Sequence, residues 1–355
     1  MTRPQAERAA WIIGSIGLTG AAIGWIIAPA AFAYAWLGAL TAWLAWPLGS
    51  IGLVLVHALT GGRWGEVLRP QLVAGLVTLP LLLPALIPFI IVLPALYPWA
   101  RPGDAALLPN QFYLNLPFFA GRGILYLVVW FGLGGLILRA LRRPKPDRSL
   151  AQMAPAGLIV LALTVTFASI DATMSLDPRF ASSIYGLIAL AEMGLLALAV
   201  AMFAATFDHA ADERTAQSLG KLLLGLVILW AYLDFMQLLI VWQSDLATDA
   251  PWYVLRITGD WGFVAAVVAA GHFVLPFFVL LRPQLRRSRR AIAIVTALLF
   301  LSAVLRAWWL VLPASGRSFG LDDLLAMFGL LGIAAALALR GAALPAMAEA
   351  MRRHG

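Results

Sequence analysis

The sequence predicts an all-α, polytopic integral membrane protein with about ten transmembrane helices in a single membrane domain, 1–355. Of its 355 residues, 62% are hydrophobic and 12% are charged, whereas soluble domains carry about 25% charged residues. The apolar residues form repeated runs of about 20, the length that an α-helix needs to cross a bilayer. Barrel strands are about half as long and alternate in polarity. These patterns exclude a soluble domain and a membrane barrel.

Hydropathy places ten spans along the chain. Their approximate bounds are 9–28, 32–59, 71–96, 119–141, 153–173, 182–207, 218–243, 261–281, 289–312 and 321–341. The first span follows Arg3 and Arg8, as the apolar segment of a signal peptide would. Its apolar core is longer than the usual 7–15 residues, so we expect a retained helix.

The distribution of basic residues predicts the orientation. With the N-terminus in the cytoplasm, 19 Arg and Lys residues fall on the cytoplasmic side and five on the other side. This asymmetry predicts that both termini are cytoplasmic. The basic clusters are then topology determinants that contact lipid headgroups, and the net charge of +8 does not indicate a nucleic-acid partner.

The chain contains no cysteine. It therefore cannot supply thiolate ligands to an iron–sulfur cluster, attach a c-type haem or form a disulfide. We also predict no metal site, because the acids and histidine of segment 208–213 are typical of a solvated charged surface. A haem held by two histidines is disfavoured, since His57 and His272 lie at different depths.

A weak repeat relates spans 4 and 8. The motif G-R-G-I-L-Y at 121–126 and the motif G-H-F-V-L-P at 271–276 are each followed by an Arg-rich stretch with proline. Four spans preserve orientation, so the repeat predicts two four-helix bundles. These are spans 2–5, about 32–173, and spans 6–9, about 182–312, with spans 1 and 10 flanking them.

Ionisable and polar residues inside the spans are the candidate functional residues, because a charge within a bilayer is costly. The candidates for a proton path or a quinone contact are Asp171, Glu192, Asp234, His272, His57, Tyr185, Gln237 and Arg306. From a rise of about 1.5 Å per residue, Glu192 and Asp234 lie roughly 14–15 Å below the outer boundary. Consecutive antiparallel helices can bring these two acids together. Asp171 is expected near the outer mouth.

Two interpretations of these residues remain open. In the first, the residues form a polar core that holds protons and water. In the second, they join helices structurally, with an aspartate paired to Arg306. Function is favoured for Glu192 and Asp234, because a structural contact rarely needs an acid at mid-depth. His272 fits a quinone contact, a proton relay or a hydrogen-bonded core histidine. His57 fits a helix cap or a cytoplasmic proton entry.

The two long outer loops, 97–118 and 244–260, mix tryptophan, tyrosine, proline and charge. Such aromatic residues commonly form a belt at the membrane surface. A docking surface for a partner on that face is the alternative.

Five motifs resemble one family of membrane subunits. They are H-A-L-T-G-G-R-W-G (57–65), D-A-T-M-S-L-D-P-R-F-A-S-S-I-Y-G (171–186), the segment 220–245 with W-A-Y-L-D-F-M-Q, P-W-Y…R (251–256) and G-H-F-V-L-P-F-F (271–278). Together they resemble the NrfD/PsrC-type subunits, and more narrowly the second (ActF-type) such subunit of alternative complex III, a quinol:cytochrome c oxidoreductase. The chain departs from the family pattern at Ala58 and Phe180.

The resemblance implies ten helices in two four-helix bundles and a subunit without cofactors of its own. It implies a paralogous NrfD-like subunit, an iron–sulfur subunit and multihaem cytochrome c subunits as partners in the bacterial cytoplasmic (inner) membrane. Asp171, Asp234, His57 and His272 match family motif positions. The chain would contact quinone or conduct protons, and iron–sulfur clusters and c-type haems would lie only on partners.

Two other functions remain open. A proton-coupled secondary transporter would use the same acids, although inverted repeats and paired interrupted spans are not evident. A structural membrane anchor would use the acids only to pair with Arg306.

Overall fold

The computed structural model describes residues 2–101, 110–143, 146–208, 213–244 and 249–341. Ten helices in this part of the chain are long and apolar enough to cross a membrane. They are α1 Arg3–Ile27, α2 Pro29–Thr60, α3 Arg63–Ile91, α4 Leu116–Leu141, α5 Asp147–Leu176, α6 Tyr185–Phe207, α7 Glu213–Ser244, α8 Gly259–Leu281, α9 Arg289–Ser315 and α10 Leu321–Gly341. The described residues contain no strand. The predicted all-α, multi-pass membrane fold is confirmed.

The predicted spans and the observed helices differ mainly at polar ends. α3 begins at Arg63 and α5 at Asp147, several residues before their predicted starts. Both starts carry charged residues, which lower the hydropathy without ending the helix. Arg352, Arg353 and Lys145, which contribute to the predicted orientation, lie outside the described residues. We call the side on which α1 begins the inner side and the opposite side the outer side.

Two spans are irregular within the membrane. α3 consists of Arg63–Leu76, a 3-10 turn at Leu79–Leu81 and Leu82–Ile91. α8 contains a π-helical segment at Ala269–Val274 between the α-helical parts Gly259–Val268 and Leu275–Leu281. π-Helical segments are rare and frequently lie at functional sites. His272 is the fully buried side chain that this segment presents.

Short helices lie outside the ten spans. On the outer side, the short helix Leu93–Leu96 follows α3, although the predicted third span includes it. The 3-10 turn Pro98–Ala100 and the helix Ala250–Ile257 form parts of the two long loops. On the inner side, Pro283–Arg287 connects α8 to α9. The outer helix Ala250–Ile257 matters for the site, because it buries Trp252, Tyr253 and Arg256.

Helix α2 is the most enclosed span and contacts α3, α5, α6, α9 and α10. Its close approach to α6 depends on Gly49. A Cβ at Gly49 would lie 1.9 Å from the backbone oxygen of Met193. α1 and α10 also touch backbone to backbone at glycines, with Gly17 against Gly329. Small residues at such crossings allow helices to associate in lipid.

Helices α6, α7, α8 and α9 contact one another in a closed ring. In the first half of the chain, α2, α4 and α5 pack together, but the outer half of α3 makes few contacts with α4. The division of the chain into two four-helix bundles stays a prediction. The gap between α3 and α4 positions the cavity described below.

Candidate functional site

A cavity of about 580 Å³ lies among the outer halves of the helices. Its size is within the range of small-molecule sites, about 300–1,000 Å³. Residues of α2 to α7 and α9 line it, and most of them are apolar. The lining residues Ile90 of α3 and Leu116 and Ile124 of α4 are 45–63% exposed. The cavity is therefore least enclosed where α3 and α4 make few contacts.

Asp171 lies on the cavity wall in a closed hydrogen-bond network. Arg122 of α4 donates to both carboxylate oxygens, from Nε at 2.9 Å and from Nη2 at 2.7 Å. The hydroxyl of Tyr126 donates a third hydrogen bond at 2.7 Å. Such bidentate, charge-assisted pairs are strong and fix geometry. Asp171 is 2% exposed, so its carboxylate is a buried and paired group, and its expected position near the outer mouth stays a prediction.

Arg122 is held from the outer side as well. Its Nη1 donates to the backbone oxygen of Tyr113 at 3.0 Å, and its guanidinium lies 3.8 Å from the centroid of the Tyr113 ring. Burial, followed by the charge of Asp171, raises the pKa of Tyr113. From the sequence, Arg122 contributes only to the predicted orientation and to the weak repeat. An arginine in an apolar span is the signal that marks it as a candidate buried charge, although its partner is seen only in the structure.

Deeper in the protein, side chains of α6, α7 and α8 surround Arg306 of α9. Its Nη2 donates to Asp234 Oδ1 of α7 at 2.6 Å, and its Nε lies 3.3 Å from Glu192 Oε2 of α6. His272 Nε2 of α8 lies 3.5 Å from the same Glu192 oxygen. The structure thus brings together Glu192, Asp234, His272 and Arg306. We call these four residues the Arg306 cluster.

Helical spacing explains how α7 contributes to this cluster. Trp230 and Asp234 are four residues apart and therefore lie on one face. The Trp230 ring centroid lies 4.3 Å from that of the His272 imidazole, and Arg306 lies 4.9 Å from the Trp230 centroid. The indole thus fills the space beside the imidazole and the guanidinium. It limits the positions that both side chains can take.

Glu192 differs from Asp171 in its hydrogen bonding. Neither oxygen of Glu192 accepts a hydrogen bond from a described residue, and neither ring nitrogen of His272 makes a hydrogen bond there. Buried polar groups are usually paired, and ordered water satisfies many that protein atoms do not. Glu192 lines the cavity. Both of its carboxylate oxygens are themselves buried, so the carboxylate lies in the wall of the cavity.

Tyr185 and Gln237 also line the cavity, in addition to Asp171 and the acids of the Arg306 cluster. The Tyr185 hydroxyl donates to Thr173 Oγ1 at 2.8 Å. Gln237 accepts from Ser182 at 2.6 Å and donates to the hydroxyl of Tyr253 at 3.0 Å. These groups extend the polar surface of the cavity toward the outer loops. Thr173 and Ser169 donate to backbone oxygens of α5, which agrees with a structural role for those hydroxyls.

The outer helix Ala250–Ile257 closes the cavity from the outer side. Trp252 stacks on Phe180 at 4.5 Å between centroids, and the Arg256 guanidinium lies 3.8 Å from the centroid of a Trp252 ring. Arg256 donates to the backbone oxygens of Trp252 and Leu310, and burial lowers its pKa to about 10.

Four outer-loop aromatic residues point into the protein. Trp252 is 1% exposed, and Tyr97, Trp99 and Tyr253 are buried as well. These four side chains form neither a membrane-surface belt nor a docking surface, so both sequence-based interpretations are wrong for them.

His57 is not part of this site. It lies at the inner end of α2, where Nε2 is 2.9 Å from the backbone oxygen of Gly62 and the ring packs edge-on against Trp64. This geometry favours the helix-cap interpretation. Of the eight candidate residues, seven line the cavity or belong to the Arg306 cluster, and His57 does neither.

Comparison of the sequence with protein-family models and with curated proteins gives no match. The fold and the site are those of a multi-pass membrane protein with a mostly apolar cavity and a buried charged cluster.

Proposed function

We propose that this chain is a cofactor-free membrane subunit of a quinol-oxidising respiratory complex of the alternative complex III type. In this proposal the cavity admits quinol or quinone from the bilayer, and the Arg306 cluster conducts protons. One observation carries the proposal: the mostly apolar cavity has in its wall Glu192, a buried acid whose oxygens accept no hydrogen bond from a described residue although Arg306 Nε lies 3.3 Å away. The proposal places the chain in the bacterial cytoplasmic membrane.

The chemistry of a quinol fits both ends of the cavity. A quinol has a long apolar tail and a ring with two hydroxyl groups, so it reaches its site through lipid. The leucine- and isoleucine-rich walls between α3 and α4 suit the tail. The hydrogen-bonding groups for the ring are those of Tyr185, Gln237 and Glu192. Small-molecule sites typically combine a small number of such polar groups with many apolar ones.

The charge pattern supports a proton role for Glu192 in particular. Arg306 already has a close partner in Asp234 at 2.6 Å, whereas Glu192 is 3.3 Å from it without a hydrogen bond. Glu192 can therefore change its protonation state without breaking the shortest ion pair of the cluster. Intramembrane acids that face a water-accessible space are typical of proton relays.

The electron acceptors belong to partners in this proposal. The chain has no cysteine for an iron–sulfur cluster or a covalently attached haem. The family resemblance of the motifs supports an iron–sulfur subunit, multihaem cytochrome c subunits and a paralogous NrfD-like subunit as those partners.

The test replaces Glu192 with glutamine and Asp234 with asparagine in the native host. Glu66→Gln, an exposed acid at the inner end of α3, is the matched control. Quinol oxidation and proton release are measured in membranes with decylubiquinol and a short-chain menaquinol. Assembly is measured by co-purification of haem-containing partners.

Reduced quinol oxidation or proton release in both variants, with normal assembly and a normal Glu66→Gln control, supports the proposal. Normal turnover and proton release in both variants contradict it. Loss of assembly alone identifies the acids as parts of a structural anchor. A chain that co-purifies with no redox partner contradicts the assignment to such a complex.

A further inference from the structure

A second concave site lies at the inner side, far from the cavity. It encloses about 250 Å³ where the inner ends of α6, α7 and α9 meet the connection between α8 and α9. Its lining residues are Met202, Ala205, Thr206, Glu213, Ala216, Leu219, Arg286, Arg287, Arg289 and Ile292. None of them belongs to the cavity or to the Arg306 cluster. We call it the inner pocket.

Positive charge dominates the described rim of the inner pocket. Three arginines and one acid, Glu213, line it. Arg287 Nη1 is 2.8 Å from Glu213 Oε1, so this pair is internally compensated. Arg286 and Arg289 then leave two positive charges without an acidic partner among the lining residues. Residues 209–212 and the side chain of Asp208 lie outside the described residues and are not part of this charge balance.

Arg286 is held in a fixed position. Its aliphatic stem lies against Gly220 of α7, where an added Cβ would be 3.1 Å from Arg286 Cβ and Cγ. Its Nε is buried and has no hydrogen-bond partner among the described residues. A buried guanidinium nitrogen without an acceptor is costly. Together with the uncompensated charge of the rim, this nitrogen favours an anionic group beside the Arg286 guanidinium.

The backbone adds to the positive electrostatic potential of the inner pocket. α7 begins at Glu213 and α9 begins at Arg289, so two helix N-termini face the pocket. The N-terminus of a helix carries about half a positive charge and favours anions. The pocket wall behind the arginines is apolar, with Met202, Leu219 and Ile292.

We propose that the inner pocket binds an anionic phospholipid through its phosphate, held by Arg286 and Arg289. Basic pockets between transmembrane helices on the cytoplasmic side suit acidic lipid headgroups. A free phosphate would need only the arginines, whereas the position of the pocket at the inner ends of three spans matches the headgroup of a lipid whose tail stays in the bilayer. This proposal does not depend on the proposed function.

The test measures thermal unfolding of the full-length chain in mixed micelles. The probes are phosphatidylglycerol, phosphatidylcholine and inorganic phosphate, each titrated separately. Anything that binds only the folded state raises the unfolding temperature, by an amount that grows with the logarithm of its concentration relative to its dissociation constant. The variants are Arg286→Gln and Arg289→Gln, and the control is Arg282→Gln in the same connection but outside the pocket lining.

We expect phosphatidylglycerol to stabilise the wild type and Arg282→Gln equally, and phosphatidylcholine and inorganic phosphate to have little effect. Each pocket variant should bind phosphatidylglycerol about fivefold more weakly, the value of one arginine near a membrane surface. Equal stabilisation of all variants overturns the site. Equal stabilisation by inorganic phosphate and by lipid overturns the lipid assignment.

If Arg286→Gln does not fold, Gly220→Ala provides an independent variant, because it displaces the Arg286 stem and keeps every charge. Native mass spectrometry then provides the second readout. The wild type should retain more phosphatidylglycerol than Gly220→Ala does after identical purification. Equal retention contradicts the proposal.

Discussion

The substitutions Asp171→Asn and Glu192→Gln make the same chemical change at two buried acids, and the structure predicts unequal costs. Asp171 accepts three hydrogen bonds of 2.7–2.9 Å, two from Arg122 and one from Tyr126. Removing its charge leaves Arg122 buried without a counter-charge. Breaking a buried pair in this way costs about 3–5 kcal/mol.

Glu192→Gln should cost much less. Glu192 accepts no hydrogen bond from a described residue, and Arg306 keeps Asp234 at 2.6 Å in the variant. The variant loses only the attraction between Glu192 and Arg306 Nε at 3.3 Å, which lacks hydrogen-bond geometry, so we expect a loss no larger than that of one ordinary hydrogen bond, about 1 kcal/mol. The difference between the two variants follows directly from their hydrogen bonding.

Equilibrium unfolding of the purified chain in mixed micelles, followed by far-ultraviolet circular dichroism, measures both values. The double variant Asp171→Asn, Arg122→Gln serves as a control. It should recover part of the loss, because it removes the uncompensated charge. Equal destabilisation by Asp171→Asn and Glu192→Gln would refute the distinction between a structural and a functional acid.

Two further predictions concern packing and topology. Gly49→Ala should lower the free energy of unfolding by about 1–3 kcal/mol, because its Cβ would meet the Met193 backbone oxygen. Gly52→Ala should have little effect, since its nearest neighbour would be 3.5 Å away, and denaturation of both variants in micelles checks this contrast. Because the chain lacks cysteine, single-cysteine variants map its orientation directly. An impermeant maleimide should label Phe112→Cys in intact spheroplasts and label Arg142→Cys only after permeabilisation, and the reverse labelling would contradict the predicted orientation.

The sequence predicts the ten spans well because each depends on a local property, the length of an apolar run. It also identifies the residues of the Arg306 cluster, because charged groups stand out in apolar helices. Their depth in the membrane follows from the helical rise.

The partners of these residues could not be predicted from the sequence. Periodicity gives the face of a helix but not the neighbour that the face meets. Asp171 and Glu192 look alike in sequence, yet only Asp171 meets an arginine with matched geometry. The inward direction of Trp252 depends on the outer helix that carries it and on the packing of Phe180. The cavity depends on a gap between α3 and α4 that no local pattern encodes.

Blocking the cavity tests the central claim most directly. Gly123 lines the cavity, and a Cβ there would have no atom within 4 Å, so Gly123→Phe places a ring in open space. Gly132→Phe on the same helix is the control, because its Cβ is equally unobstructed but lies outside the cavity lining. Trp130, Trp252 and Trp309 line the cavity and report a bound quinone by fluorescence quenching.

The measurement is a titration of the purified chain with decylubiquinone and with a short-chain menaquinone. We predict saturable quenching in the wild type and in Gly132→Phe, and its loss in Gly123→Phe. Saturable quenching that persists in Gly123→Phe, or its absence from the wild type with both quinones, would contradict the account.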